Sequence, residues 1–162
     1  MIEALKSIFN LKDVNPAEYS SLDLAYIGDC AYEIVIRTLI VSMGNTAVEK
    51  LNKKASSLAK ASTQSEMILA ILDDLSEEEQ AVFKRGRNAK ANTSAKNASI
   101  NDYRRATGFE ALIGWLYLKK DFDRMMAVIK LGLERIAAAS ADDPEATPQG
   151  RVAAGILNGK NK

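Results

Sequence analysis

The stretch Leu22-Asp23-Leu24-Ala25-Tyr26-Ile27-Gly28-Asp29-Cys30-Ala31-Tyr32-Glu33-Ile34-Val35-Ile36-Arg37-Thr38-Leu39-Ile40-Val41 decides how this chain folds. Its apolar residues fall at nearly every phase of a 3.6-residue turn, which reads as a helix that is apolar around most of its circumference. Such a helix is buried on nearly all sides or lies at a subunit interface. Asp23, Asp29, Glu33 and Arg37 interrupt it too often for a membrane span. Asp29, Glu33 and Arg37 follow one another at four-residue steps and share a face. Two readings of that face are open. In one, Glu33 pairs with Arg37 and Asp29 is solvated. In the other, Asp29 is a metal ligand, because a carboxylate within a mostly buried helix is costly unless a cation compensates it.

Outward from this helix, Thr46 with Glu49, Thr63 with Glu66 and Ser76 with Glu79 each fit the S/T-x-x-E capping box that satisfies the free N–H groups of a first turn. Apolar sets at helical spacing lie between them, and period-two alternation is largely absent. The pattern predicts an all-α chain with helices over 2–9, 17–42, 46–60, 63–73, 76–90, 102–119 and 121–139. Residues 1–139 read as one compact domain, which suits a chain of 162 residues with 47% hydrophobic content. Residues 140–162, rich in Asp, Pro and Gly, read as a mobile or loosely docked tail, with Val152 to Leu157 as the part able to dock.

The formal charge of +1 points to no partner, so any nucleic-acid function requires positive charge concentrated in one place. The sequence has no histidine. Histidine general bases, histidine-ligated zinc and Ser-His or Cys-His nucleophile systems are thereby excluded, leaving carboxylates with a hard metal as the chemistry open to it. The one cysteine, Cys30, has no partner for an internal disulfide and is expected to pack as a small buried side chain. Met1 to Lys12 lacks the pattern of a signal peptide, so a cytoplasmic location is expected.

A second isolated carboxylate is Glu110, set in the otherwise apolar or small run Ala106-Thr-Gly-Phe-Glu-Ala-Leu-Ile-Gly-Trp-Leu-Tyr-Leu118. Gly108 and Gly114 each cost a helix about 1 kcal/mol relative to alanine, which suggests close packing nearby. Gly28 beside Asp29 has the same character. Two helices, each with one acid and small neighbours, can face each other across one magnesium ion; equally, they can cross tightly with each acid at the rim. Between them lies Lys84-Arg-Gly-Arg-Asn-Ala-Lys-Ala-Asn-Thr-Ser-Ala-Lys-Asn97, with five basic residues and no acid. Arg85, Arg87, Asn88, Lys90, Lys96 and Asn97 are its candidates for contact with a nucleic acid, RNA or DNA. The absence of aromatic residues from the run favours duplex backbone over unpaired bases. A merely solvated face is the alternative.

Taken together, these segments resemble the ribonuclease III family. Leu22 to Glu33 is similar to the family signature E-R-L-E-F-L-G-D-A-V-L-E, and Phe109-Glu-Ala-Leu-Ile-Gly114 is similar to its second acidic motif, D-x-x-E-A-L-I-G. Closer still is the Mini-ribonuclease III group, which has the catalytic domain only. The acid that the family carries four residues before the signature aspartate is Ala25 here, and the acid three before the second-motif glutamate is Thr107. The resemblance therefore implies Asp29 and Glu110 as the catalytic residues and ligands of Mg2+, in a domain spanning 1–139. It also implies a homodimer joined through the signature helix, and hydrolysis of double-stranded RNA to 5′-phosphate and 3′-hydroxyl ends. The implied substrate is precursor 23S ribosomal RNA, with room for a ribosomal protein partner to supply specificity. Residues after Ser140 are too few for an appended RNA-binding domain. Two rivals stand beside this reading: a catalytically inactive, dimeric RNA-binding module, and an all-helical nucleotide pyrophosphohydrolase.

Overall fold

The computed structural model describes residues 1–90, 99–141 and 147–159. Among them are eight α-helices: α1 (Ile2–Phe9), α2 (Ser21–Ser42), α3 (Val48–Ala59), α4 (Ala61–Ala70), α5 (Glu77–Asn88), α6 (Ile100–Leu118), α7 (Phe122–Ala141) and α8 (Pro148–Leu157). Short 3-10 turns occupy Pro16–Glu18 and Leu72–Asp74, and the described residues contain no strand. The all-α expectation holds.

Helix starts show which local signals governed the chain. Ser76 and Glu79 form a complete capping box at α5. Ser20 and Ser99 cap α2 and α6 by accepting from the N–H groups of Asp23 and Asp102, and each serine hydroxyl donates back to that aspartate. Proline at 16 and the cap at Ser20 separate a 3-10 turn from α2, which therefore starts later than the predicted 17. The boxes expected at Thr46 and Thr63 do not form. The cap position of α3 is Ala47, and α4 begins at Ala61 with Thr63 already inside it. There the Thr63 hydroxyl donates to the Ser57 carbonyl at 2.8 Å, tying α4 to α3.

Packing is organised around α6. A Cβ built on Gly28 would stand 1.8 Å from the carbonyl oxygen of Glu110, and one on Gly114 would stand 1.9 Å from that of Leu24. The backbones of α2 and α6 thus touch, with no room for even one methyl group between them. On another side of α6, Gly86 of α5 lies against Gly108 and Ala111. The core fills in around these crossings: Tyr32 and Phe109 meet edge-to-face at 5.3 Å, and the Tyr32 hydroxyl donates to the Leu58 carbonyl at 3.1 Å. Glu79, almost wholly buried, accepts two hydrogen bonds from Arg124 at 2.7 and 2.8 Å and so fastens α5 to the start of α7. Residues 148–157 form α8, packed on α7 and α3.

Alanine at position 28 sets two effects against each other. Helix propensity alone favours Gly28→Ala by about 1 kcal/mol. The clash is with backbone rather than a movable side chain, so overpacking is expected to win and destabilise the fold by more than about 3 kcal/mol. Urea denaturation measures the sum; a variant as stable as the parent would mean that α2 and α6 are not in backbone contact.

Candidate metal centre and basic surface

The α2–α6 crossing determines where the two isolated acids go. Asp29 follows Gly28, the residue seated on the Glu110 carbonyl, so the acids emerge beside the point of closest approach of their helices. Asp29 is at the solvent edge and Glu110 is partly buried behind it. Burial, then the nearby charge of Asp29, push the Glu110 carboxyl up to about 8, opposed by the Gln64 amide. Asp29 is raised less far, by burial and then by Glu33.

Among the described residues, no lysine or arginine contributes to the shift of either carboxyl. Arg37, the nearest basic residue along α2, pairs with Glu33 at 2.6 Å instead. The Glu33–Arg37 pair of the first sequence reading therefore forms, with Asp29 exposed and outside it. Two carboxylate donors close together, with no described lysine or arginine to offset them, suit a hard divalent cation that accepts carboxylate and water.

The positions where acids were found missing are otherwise occupied. Ala25 is buried in the core, and the Thr107 hydroxyl donates to the Tyr103 carbonyl of its own helix at 3.0 Å. No group of three acid, histidine or cysteine side chains stands together among the described residues. A buried amide takes a place near the acids instead. Gln64, in the first turn of α4, is wholly buried next to Glu110. Its sequence context hides it, since a polar run at a helix start ordinarily reads as a solvated turn.

Cys30 departs from expectation: it is exposed, not buried. The reason is that α2 spends one face on α6 and leaves the opposite one open. Along that face Leu22, Tyr26, Cys30, Ile34 and Val41 form an exposed stripe, with Tyr26 at 80% and Ile34 at 57% exposure.

The basic segment begins on α5. Arg85, Asn88 and Lys90 are exposed, while Arg87 is partly buried, with its guanidinium 5.8 Å from the Phe83 ring centre and bonded to the Asn88 side chain at 3.2 Å. Lys96 and Asn97 lie outside the described residues. Because Gly86 sits on Gly108, this end of α5 is held against the part of α6 that carries Glu110. Ser20, Ser21 and Leu22 at the start of α2 join Lys84, Arg85, Asn88 and Ala89 in lining one open groove. The contribution of the α2 N-terminus was not evident from the sequence. Ser20 caps that helix start by accepting from the Asp23 N–H, so the bases of the groove are Lys84 and Arg85 of α5.

A model of the ribonuclease III domain matches residues 22–121, which include both acids and the basic segment. Mini-ribonuclease 3 of Clostridium tetani is 51% identical over 137 residues, covering 84% of this chain and 87% of that protein. The Mini-ribonuclease 3 of Thermoanaerobacter is 45% identical over 72% of this chain and 82% of its own length. A crystal structure of a Fusobacterium nucleatum protein superposes with a TM-score of 0.67 at 32% identity, covering 72% of this chain and 90% of that one. The fold is thus that of a ribonuclease III domain, and its class of enzyme is the endoribonucleases. The chain belongs to the ribonuclease III family, in its Mini-ribonuclease 3 group.

The raised Glu110 carboxyl has a consequence for stability in the absence of metal. In the unfolded chain Glu110 ionises near 4.5, whereas the folded protein keeps the proton up to about 8. Folding therefore binds an extra proton within that window, and stability falls as pH rises through it. Glu110→Gln is expected to flatten this decline and to raise the melting temperature of the metal-free protein at pH 8. Thermal melts in chelator across the window check it; a parent and variant with the same slope would show that Glu110 is not desolvated beside Asp29.

Proposed function

We propose that this endoribonuclease cleaves double-stranded RNA at a magnesium site held by Asp29 and Glu110. The observation carrying the proposal is the convergence, at the α2–α6 crossing, of two carboxylates that no described lysine or arginine compensates. A bound magnesium ion supplies Lewis-acid activation of water and neutralises charge at the phosphate. Asp29 and Glu110 hold the cation, and their ionised forms are the ones that bind it. Arg85, Arg87, Asn88 and Lys90 contact the RNA backbone from the end of α5, with Lys96 and Asn97 assigned the same role. No side chain acts as nucleophile. Water adds to phosphorus as the bond to the 3′-oxygen breaks, leaving a 5′-phosphate on one fragment and a 3′-hydroxyl on the other.

The substrate that the motif resemblance implies is the stem joining the ends of precursor 23S ribosomal RNA, and cytoplasmic action follows from that assignment. No described helix is long and apolar enough to cross a membrane. A ribosomal protein bound to the precursor would add selectivity to a contact that is otherwise mainly backbone charge. Residues 1–139 serve as the catalytic unit in this reading.

The exposed stripe on α2 supports a homodimer in which two copies of this helix pack across a two-fold axis, bringing two active sites to one duplex. Tyr26→Asp is expected to convert the protein to a monomer in sedimentation equilibrium while keeping its helical circular dichroism. An unchanged mass would remove α2 as the interface.

Cleavage of a labelled duplex carrying the precursor stem tests the main proposal. Asp29→Asn and Glu110→Gln are expected to lower the rate by at least about 10³-fold, the scale set by losing charge stabilisation in a transition state. Both should still bind the duplex. In the same binding assay, Arg85→Ala with Arg87→Ala should weaken affinity and reduce the salt slope by about 1 for each phosphate that is no longer neutralised. Full cleavage by either acid variant would refute the site, and cleavage absent from the parent with binding intact would favour an inactive RNA-binding module.

A further inference from the structure

The first turn of α4 carries three consecutive polar residues, Thr63, Gln64 and Ser65, each at most 1% exposed. Buried polar groups are nearly always hydrogen-bonded, and two of the three follow that rule. Thr63 donates to the Ser57 carbonyl on α3. Ser65, after Ser99, helps hold the Asp102 carboxyl below its ordinary range and so ties α4 to the first turn of α6. Gln64 is the exception. Neither its Nε2 nor its Oε1 completes a hydrogen bond of good geometry, although the amide lies close enough to Glu110 to favour the charged carboxylate.

An amide without partners in a wholly buried position costs about 1–3 kcal/mol, so a core selected for stability alone would hold an apolar side chain there. The neighbours of Gln64 exclude slack as an explanation. Anchors on either side pin the turn to α3 and to α6, so the amide is held beside one particular carboxyl.

We propose that Gln64 is a positioning residue for the metal site: its amide NH2 holds one oxygen of Glu110 and leaves the other turned toward Asp29 to share a divalent cation. The inference rests on the reading of Asp29 and Glu110 as metal ligands given above. Glutamine is suited to this task where an acid is not. It donates to a carboxylate without adding a third negative charge to a pair that already repels. Its amide, without a completed partner in the metal-free protein, is then the group that pairs with Glu110 once the carboxyl holds a cation.

Gln64→Leu, close in volume and unable to hydrogen-bond, separates this role from a packing role. Manganese binding to the RNA-free protein, read by electron paramagnetic resonance, should weaken by about tenfold, the low end of what loss of a ligand's supporting hydrogen bond costs. The magnesium concentration for half-maximal cleavage should rise by the same factor. The melting temperature of Gln64→Leu in chelator should meanwhile stay level or rise, because a buried orphan amide has been removed. A structural residue would show the opposite, a fall in melting temperature with metal affinity intact, and that result overturns the proposal. Parent-like manganese affinity in Gln64→Leu, with binding lost in Glu110→Gln, overturns it while leaving the two-acid site standing. Manganese affinity unchanged in Glu110→Gln removes both.

Discussion

The backbone contact between α2 and α6 is the constraint on which the rest of the structure depends. With glycine at 28 and 114, two long helices approach until each seats on a carbonyl of the other. Side chains of ordinary size would hold the axes several ångströms further apart. That separation would carry the acids away from each other, so the same two glycines that cost helix propensity set the spacing of the charged groups. The local loss of about 1 kcal/mol per glycine is offset by a crossing that brings Tyr32 against Phe109 and buries the middle of both helices.

Around α6 the remaining helices divide the work by face. One face receives α2 and presents Glu110 at the crossing. Another receives α5 at Gly86, which brings the basic end of that helix close without placing its charges on the acids. Were Arg85 or Arg87 to pair with Asp29 or Glu110, the acids would be neutralised by protein and the bases would no longer be free to meet a polyanion. Arg37 is likewise occupied by Glu33, and Arg124 by Glu79. Among the described residues the outcome is an acid pair with no lysine or arginine partner, beside a groove that carries Lys84 and Arg85.

How much of this was legible in the sequence depended on whether the signal was local. Helical periodicity and the Ser76–Glu79 box located most elements, and Gly28, Gly108 and Gly114 flagged close approaches that the structure bears out. The boxes at Thr46 and Thr63 matched the same pattern and failed: α3 is capped at Ala47, and Thr63 is drawn into the interior to bond Ser57. Ser20 and Ser99 cap with aspartate three residues on, a variant outside the motif sought. An apolar helix face reads the same whether it meets a core or solvent, which is why Cys30 was expected inside and is found outside. Gln64 was illegible for the converse reason: nothing in a run of small polar residues announces complete burial. Both acids could be singled out by their apolar surroundings, but their convergence is a property of the crossing and not of either segment.

The most direct test of the account is a crystal structure of the protein soaked in manganese, with the ion located by its anomalous scattering. A peak bridged by the carboxyl groups of Asp29 and Glu110, beside the Gln64 amide, is the predicted result. Carboxyl groups turned to separate surfaces, with manganese bound elsewhere or at neither, would contradict it.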